Sequence, residues 1–435
     1  MGPSPSEPVP MTLAQKIIAR AAGQNSVRPG EIVVCAVDLA MAHDSSGPRR
    51  WRPQMEALGL TLWDPAKVVI VSDHYVPAVD AESAAILKLT RDFATQYRVG
   101  RFFDMRGISH TILPENGLLM PGMFCAGGDS HSPHGGAFGC FIAGYGATDM
   151  LGIVTTGKTW ILVPETDLVT WTGKFGLGVT AKDIMLFLCA TLGMENAFKV
   201  VQFAGDTVAD MSMDERMVLT NMSAELGYDT GLIAADQKTT AHIRASGGAI
   251  APDALHWQSD EGAHYASRHH FSAAELVPYL AAPHSPANSA PVTNHTGTKI
   301  HQAYIGACVG AKLEDLRMAA SVLAGKQVAK GVRLLVAPAS AQIAGRAAKE
   351  GVLQSLLAAG AILMPSGCGA CAGMGAGLLA DAEVCISTTN RNFKGRMGHN
   401  DAEVYLGSPY TVAASAIEGQ IADPRPHLGH MREVA

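Results

Sequence analysis

Cys368 and Cys371 stand in PSGCGACAG, a C-x-x-C inside a glycine-rich turn, and Cys308 stands 60 residues earlier in IGACVGAK. Thiolates bind soft metals, so this set reads first as a possible metal site. A structural zinc wants a second pair at short spacing, which the chain lacks. A redox pair more usually opens a helix in a small thioredoxin-like unit, and a chain of 435 residues is not one. An iron–sulfur site and three unrelated buried thiols both fit the spacing. The eight cysteines are scattered and no apolar export signal precedes them, which argues against disulfides.

Acid–base groups gather elsewhere. The stretch 127–139, GGDSHSPHGGAFG, crowds Asp129, Ser130, His131 and His134 between glycines, a common setting for catalytic loops. An Asx or Ser turn with surface histidines is the plain alternative. Asp73 and His74 follow the apolar run KVVIVS, so they lie at the carboxyl end of a strand, where α/β sheets place their sites. His110 follows a glycine in RGISHTILPE. Alone, either feature is as well read as a structural turn. Asn390, Arg391 and Arg396 share NRNFKGR, and planar guanidinium forks suit carboxylates. The uncharged approach CISTTN and the apolar tract that follows argue against a merely solvated basic loop. Asn221 and Glu225, in NMSAE, occupy one helical face at i and i+4, where an exposed polar face is the alternative.

These residues need a frame. Strand-like runs at 31–39, 67–72, 160–163, 168–172, 333–337 and 361–364 alternate with helical stretches at 13–22, 83–97, 181–192, 313–323, 340–349 and 352–358. That alternation predicts an α/β protein with largely parallel sheets. Residues 278–298, rich in Pro, Asn, Ser and Thr, read as a linker, and a weaker boundary falls at 164–167. The division is 1–165 with the Asp/His motifs, 166–285 with Glu225, and 286–435 with the cysteines and arginines.

Apolar residues make up 48% of the chain and charged residues only 17%, which suits a compact enzyme and not a disordered scaffold. The formal net charge of −6 excludes a basic nucleic-acid footprint. The N-terminal stretch reads as a short disordered lead-in to a helix, without a signal core. No apolar run is long enough to span a bilayer, and a cytoplasmic protein is expected.

Together the motifs resemble the aconitase superfamily, most nearly the large subunits of 3-isopropylmalate dehydratase and homoaconitase. The resemblance runs from Asp38 to Gly419 and is most specific in GDSHSPHGGAFG, the C…CxxC set, and TTNRNFKGRMG followed by YLGSPYTVAASAIEG. It implies three aconitase-like α/β domains around a central cluster cleft. Cys308, Cys368 and Cys371 would hold a [4Fe-4S] cluster whose fourth iron stays open to substrate. Asp73, His74, His110, Asp129 and His131 would assist departure of hydroxide, and Glu225 would sit near the iron-bound water. Arg391 and Arg396 would clamp substrate carboxylates, with Asn390 and Ser130 adding hydrogen bonds. The implied activity is dehydration or isomerisation of a small 2-hydroxy di- or tricarboxylate of the 3-isopropylmalate kind. Citramalate, dimethylmalate or homocitrate would suit the same chemistry. A cluster-free regulatory RNA-binding protein is the alternative of another class, and the acidic charge weighs against it.

The sequence departs from the family pattern at four places. Val309-Gly310 replace the usual Thr-Asn, Lys312 a common Arg, Ser132 the usual Thr, and Gln202 a common Glu. Single-chain members continue into a swivelling fourth domain that carries the base and a further arginine. The expectation here is a separate small subunit that brings both.

Overall fold

The structure is a computed structural model that describes residues 9–433. Most of the expected N-terminal lead-in, residues 1–8, lies outside the described residues, as do 434–435. The first helix, Leu13–Ala22, starts on a capping box in which Thr12 and Gln15 satisfy each other's main-chain N–H groups, and it stops on Gly23. The other expected helices form within two residues of their expected ends, as at Ala181–Leu192, Leu313–Leu323 and Val352–Ala358.

Three separate sheets carry the architecture. The first is fully parallel, in the spatial order Arg101–Asp104, Val68–Ser72, Leu39–His43, Phe124–Gly127, Phe141–Gly144. Its strand Val68–Ser72 is buried throughout because both faces are covered. Val68 and Ile70 pack toward one core with Trp51 and Phe93, while Val69 and Val71 pack toward another with Phe138 and Met217. The second sheet is also parallel and runs Thr230–Leu232, Lys199–Ala204, Glu165–Thr172, Ser267–Ser272. The third has seven strands, of which the five from Glu403–Gly407 through Val384–Ser387, Gln302–Ile305 and Arg333–Val336 to Ile362–Leu363 are parallel.

Two expectations need correction. The single strand at 31–39 is two. Ile32–Ala36 pairs antiparallel with Lys158–Leu162 in a separate ribbon, and Leu39–His43 enters the first sheet. Residues 278–298 are not a linker. Tyr279–Ala281 and Ser289–Pro291 form a hairpin on the edge of the seven-stranded sheet, antiparallel to Glu403–Gly407. Its proline-rich composition is tolerated because it is an edge.

The sheets interlock at a glycine. A Cβ on Gly136 would lie 1.8 Å from the main-chain oxygen of Gly231, on a strand of the second sheet. Ile233 N–H donates to Gly136 O across the same junction at 3.1 Å. Gly136→Ala is therefore expected to lower the thermal midpoint, with overpacking costing on the order of 1–3 kcal/mol. An unchanged midpoint in calorimetry would contradict this close approach.

Candidate active site

Each acid–base residue leaves the carboxyl end of a parallel strand. Leu39–His43 delivers His43 and Asp44, Val68–Ser72 delivers Asp73 and His74, and Phe124–Gly127 leads into Asp129, Ser130 and His131. His110 lies in the helix Ser109–Glu115, on the chain that leaves Arg101–Asp104. From the third sheet, Gln302–Ile305 leads to Cys308 and Val384–Ser387 leads to Asn390 and Arg391. Asn221 ends the helix Met213–Asn221, and Glu225 follows the short turn Met222–Ala224.

Asp73 and His74 form a buried pair, with His74 Nδ1 donating to Asp73 Oδ1 at 2.6 Å. The other Asp73 oxygen accepts from the Ser109 main-chain N–H at 2.7 Å. Asp44 anchors the turn beneath, accepting from the main-chain N–H groups of His74 at 3.1 Å and Tyr75 at 3.0 Å. Burial works against the charge of His74, yet Asp73 and Asp44 carry it up to about 9. Burial and the charge of His74 push the stacked His43 down to about 4, so one ring of the stack is charged and the other neutral.

Asp129 is the second anchor. His110 Nε2 donates to its Oδ1 at 2.8 Å, and the His131 main-chain N–H reaches the same oxygen at 2.8 Å. Burial alone would raise this carboxyl, but the hydrogen bonds of His110 and His131 hold it well below the usual range. Glu225 Oε1 accepts from His131 Nε2 at 2.9 Å and from Arg391 Nε at 2.8 Å. Burial opposes the Glu225 charge, and those two cations outweigh it. Arg391 Nη1 donates to Ser130 Oγ at 3.0 Å.

The three cysteines adjoin this network. Cys368 Sγ lies 4.0 Å from Asp73 Oδ2, and its main-chain N–H donates to Asp73 O at 2.8 Å. Asn221 Nδ2 donates to Cys308 Sγ at 3.2 Å and to His134 Nδ1 at 3.0 Å, while its oxygen accepts from Asn390 Nδ2. Cys371 takes a main-chain hydrogen bond from Asn390 and feels the positive charge of Arg396. Burial and the charge of Cys371 push the Cys308 thiol up to about 12, and burial raises Cys368 and Cys371 as well. The fold thus gathers thirteen of the residues singled out from the sequence, Asp73, His74, His110, Asp129, Ser130, His131, Glu225, Cys308, Cys368, Cys371, Asn390, Arg391 and Arg396, with His134 and Asn221 beside them. Ser130 is exposed, and Asp129, Cys368, Arg391 and Arg396 are part-exposed, so the cluster of polar groups opens to solvent on this side.

Three participants escaped the sequence reading. His43 and Asp44 sit at a strand end as Asp73 and His74 do, and only the misplaced strand hid them. Asn221, read from the sequence as sharing one helical face with Glu225, instead ends its helix, buried as a bridge between Cys308, His134 and Asn390, and Glu225 follows on the next turn. Lys182 is buried in the helix Ala181–Leu192 and donates to the main-chain oxygens of Thr389 at 2.6 Å and Thr388 at 3.3 Å, just before Asn390. Nothing local distinguishes it from any lysine in a first helical turn.

The model of the aconitase family (aconitate hydratase) matches residues 15–419. A 3-isopropylmalate dehydratase large subunit 1 from Methanopyrus kandleri is 42% identical over 420 residues, covering 96% of this chain and 99% of that protein. A probable methanogen homoaconitase large subunit from Methanothermobacter thermautotrophicus is 41% identical, covering 97% and 99%. The crystal structure of Thermococcus kodakaraensis aconitase X (holo-form) shares the fold, with a TM-score of 0.51 at 15% identity, over 88% of this chain and 90% of that one. Fold and relatives define an aconitase-type hydro-lyase, a carbon–oxygen lyase. The chain belongs to the aconitase family. No helix among the described residues is long and apolar enough to cross a membrane.

Against burial, the charge of Glu225 is the main influence raising the His131 titration, with the Asp129 hydrogen bond beside it. Glu225→Gln should move the His131 titration to lower pH, read by NMR of the ring nitrogens in cluster-free protein. A raised imidazole contributes stability below its unfolded value near 6.5 and loses it as pH rises through the folded value. The variant should therefore be less stable relative to the parent near pH 6 than near pH 9. An unmoved His131 midpoint would contradict the assignment.

Proposed function

We propose that this chain is the large subunit of a dehydratase or isomerase that acts on a small 2-hydroxy di- or tricarboxylate, of the 3-isopropylmalate kind, at a [4Fe-4S] cluster held by Cys308, Cys368 and Cys371. The observation that carries the reading is the junction of the cysteines with the acid–base pairs, through Cys368 beside Asp73 and through Asn221 between Cys308 and His134. The residues present fit the cluster. The three thiols come from two turns, one carrying Cys308 and one shared by Cys368 and Cys371, are free of disulfides and influence one another's charge. Asn221 offers an amide N–H to one sulfur, and buried Glu225 Oε2 has no partner among the described residues. When bound, the cluster supplies a Lewis-acidic iron, without a protein thiolate, for the substrate hydroxyl and carboxylate.

The chain's own residues supply the rest. Hydroxide is a poor leaving group and needs a proton. His74, kept charged by Asp73, holds one such proton, and the His110–Asp129 pair positions a second imidazole nearby. Arg391 spends Nε on Glu225 and Nη1 on Ser130, which leaves Nη2 without a protein partner among the described residues and available to a carboxylate. Arg396 adds a second guanidinium, whose Nε is buried and unpaired. Asn390 and Ser130 complete the carboxylate contacts. The base that takes the carbon-bound proton is assigned to a separate small subunit. The words "large subunit" in the relatives' names support this, since this chain spans nearly their whole length.

Two assays test the reading. The anaerobically reconstituted chain should turn over hydroxy-polycarboxylates only when its co-encoded small subunit is added. Full turnover by the chain alone would contradict the placement of the base. In the complex, Arg391→Lys and Arg396→Lys should each raise KM about tenfold or more, because lysine cannot form the planar fork and a lost charged hydrogen bond costs about 1.5–3 kcal/mol. Unchanged KM in both would remove the arginines from the site.

A further inference from the structure

Three basic side chains are fully buried in the described residues: Arg216, Lys312 and Lys182. Two have carboxylate partners. Arg216 Nη2 meets Asp236 at 2.6 Å, and Lys312 Nζ meets Asp315 at 2.8 Å. Lys182 has none within ion-pair distance, and its ammonium donates only to the main-chain oxygens of Thr388 and Thr389. A buried charge without a counter-charge is costly, and burial indeed weakens the Lys182 ammonium. The groups whose negative charge would act on it are Glu225 first, then Cys371, Cys189 and Cys308. Glu225 is already engaged by His131 and Arg391. Cys189 lies on the same helix as Lys182, outside the site. Cys308 is faced by Lys312, whose own partner is Asp315. Cys371 is reached through a single peptide: Lys182 Nζ donates to Thr389 O, and the Asn390 main-chain N–H of that same peptide donates to the Cys371 thiol, which Arg396 and Arg391 also face.

We infer that Lys182 is a positioning residue for the cluster: its ammonium is a buried counter-charge to the thiolate-bound group on the Cys371 side, and through Thr388 and Thr389 it fixes the turn that carries Asn390 and Arg391. The inference rests on the cluster reading above. A fixed cation beside a cluster favours its more reduced, more negative state. A lysine whose role was only to brace the turn would not be needed for that.

The test uses the full chain, reconstituted anaerobically with iron and sulfide, as parent, Lys182→Gln and Lys182→Arg. Glutamine keeps a donor for Thr389 O and loses the charge, while arginine keeps the charge. The readouts are iron and sulfide per chain, the cluster's midpoint potential by titration followed by EPR, and the thermal midpoint of cluster-free protein. At the parent's midpoint potential, K182Q should show a reduced-to-oxidised ratio about tenfold lower, a shift of about 59 mV for one electron. K182R should match the parent. If K182Q does not fold, Lys182→Met carries the same expectation, because it fills similar volume without charge. A parent-like potential in the neutral variant overturns the inference, and so does an equal shift in K182R. A drop confined to the thermal midpoint of cluster-free K182Q overturns it too, leaving a structural brace. A parent that takes up no cluster overturns the cluster reading itself, and this inference with it.

Discussion

One carboxylate oxygen joins the three sheet-bearing parts of the chain. Glu225 Oε1 accepts from His131, on the loop after strand Phe124–Gly127 of the first sheet, and from Arg391, on the loop after strand Val384–Ser387 of the third. Glu225 itself follows a helix packed beside the second sheet, and its side chain is fully buried. A buried carboxylate survives as an anion only if cations reach it, and here each cation comes from a different part of the fold. Correct docking of the parts and correct charge in the site are therefore one condition. Misplacing either loop would leave Glu225 charged and poorly compensated, or protonated and unable to hold His131 and Arg391.

The same logic repeats around it. Asp73 is balanced by His74, and Asp129 by His110 and His131, so acidic and basic groups alternate through the site. Parallel strands make this possible, because their carboxyl ends all open on one edge of each sheet and short loops there can carry polar side chains to a common point. The thiols sit where the alternation stops. Their neighbours include carboxylates as well as cations, and burial raises the titration of all three, the cost that a metal would offset on binding. Protons on the histidines, guanidinium forks on Arg391 and Arg396, and three thiols beside them are the parts on which the proposed loss of water from a hydroxy-polycarboxylate rests.

Much of this was legible in the residues. The run KVVIVS became a buried strand with Asp73 and His74 at its end because apolar runs of that length have few other uses in an α/β chain. The glycines of GGDSHSPHGGAFG marked a loop under tight packing, and Gly136 meets Gly231 there. What stayed hidden was non-local or backbone-specific. The edge hairpin at Tyr279–Ala281 and Ser289–Pro291 depends on pairing with Glu403–Gly407, more than 100 positions away, which composition does not reveal. The break that separates Ile32–Ala36 from Leu39–His43 hid a second Asp/His strand end. Ala307 holds a φ of +70° immediately before Cys308, a conformation the sequence would assign to glycine. Lys182 has no local signature, since its role follows from what the fold buries it against.

The claim on which the rest stands is that Cys308, Cys368 and Cys371 together hold one iron–sulfur cluster. Its most direct measurement is the iron content and visible absorption of the anaerobically reconstituted chain, compared with single serine variants at each cysteine. The account predicts about four irons per chain in the parent. The absorption band should vanish in Cys308→Ser, Cys368→Ser and Cys371→Ser, and persist in Cys125→Ser, Cys140→Ser and Cys385→Ser. A band that survives Cys308→Ser, or one that is lost in Cys385→Ser, would contradict it.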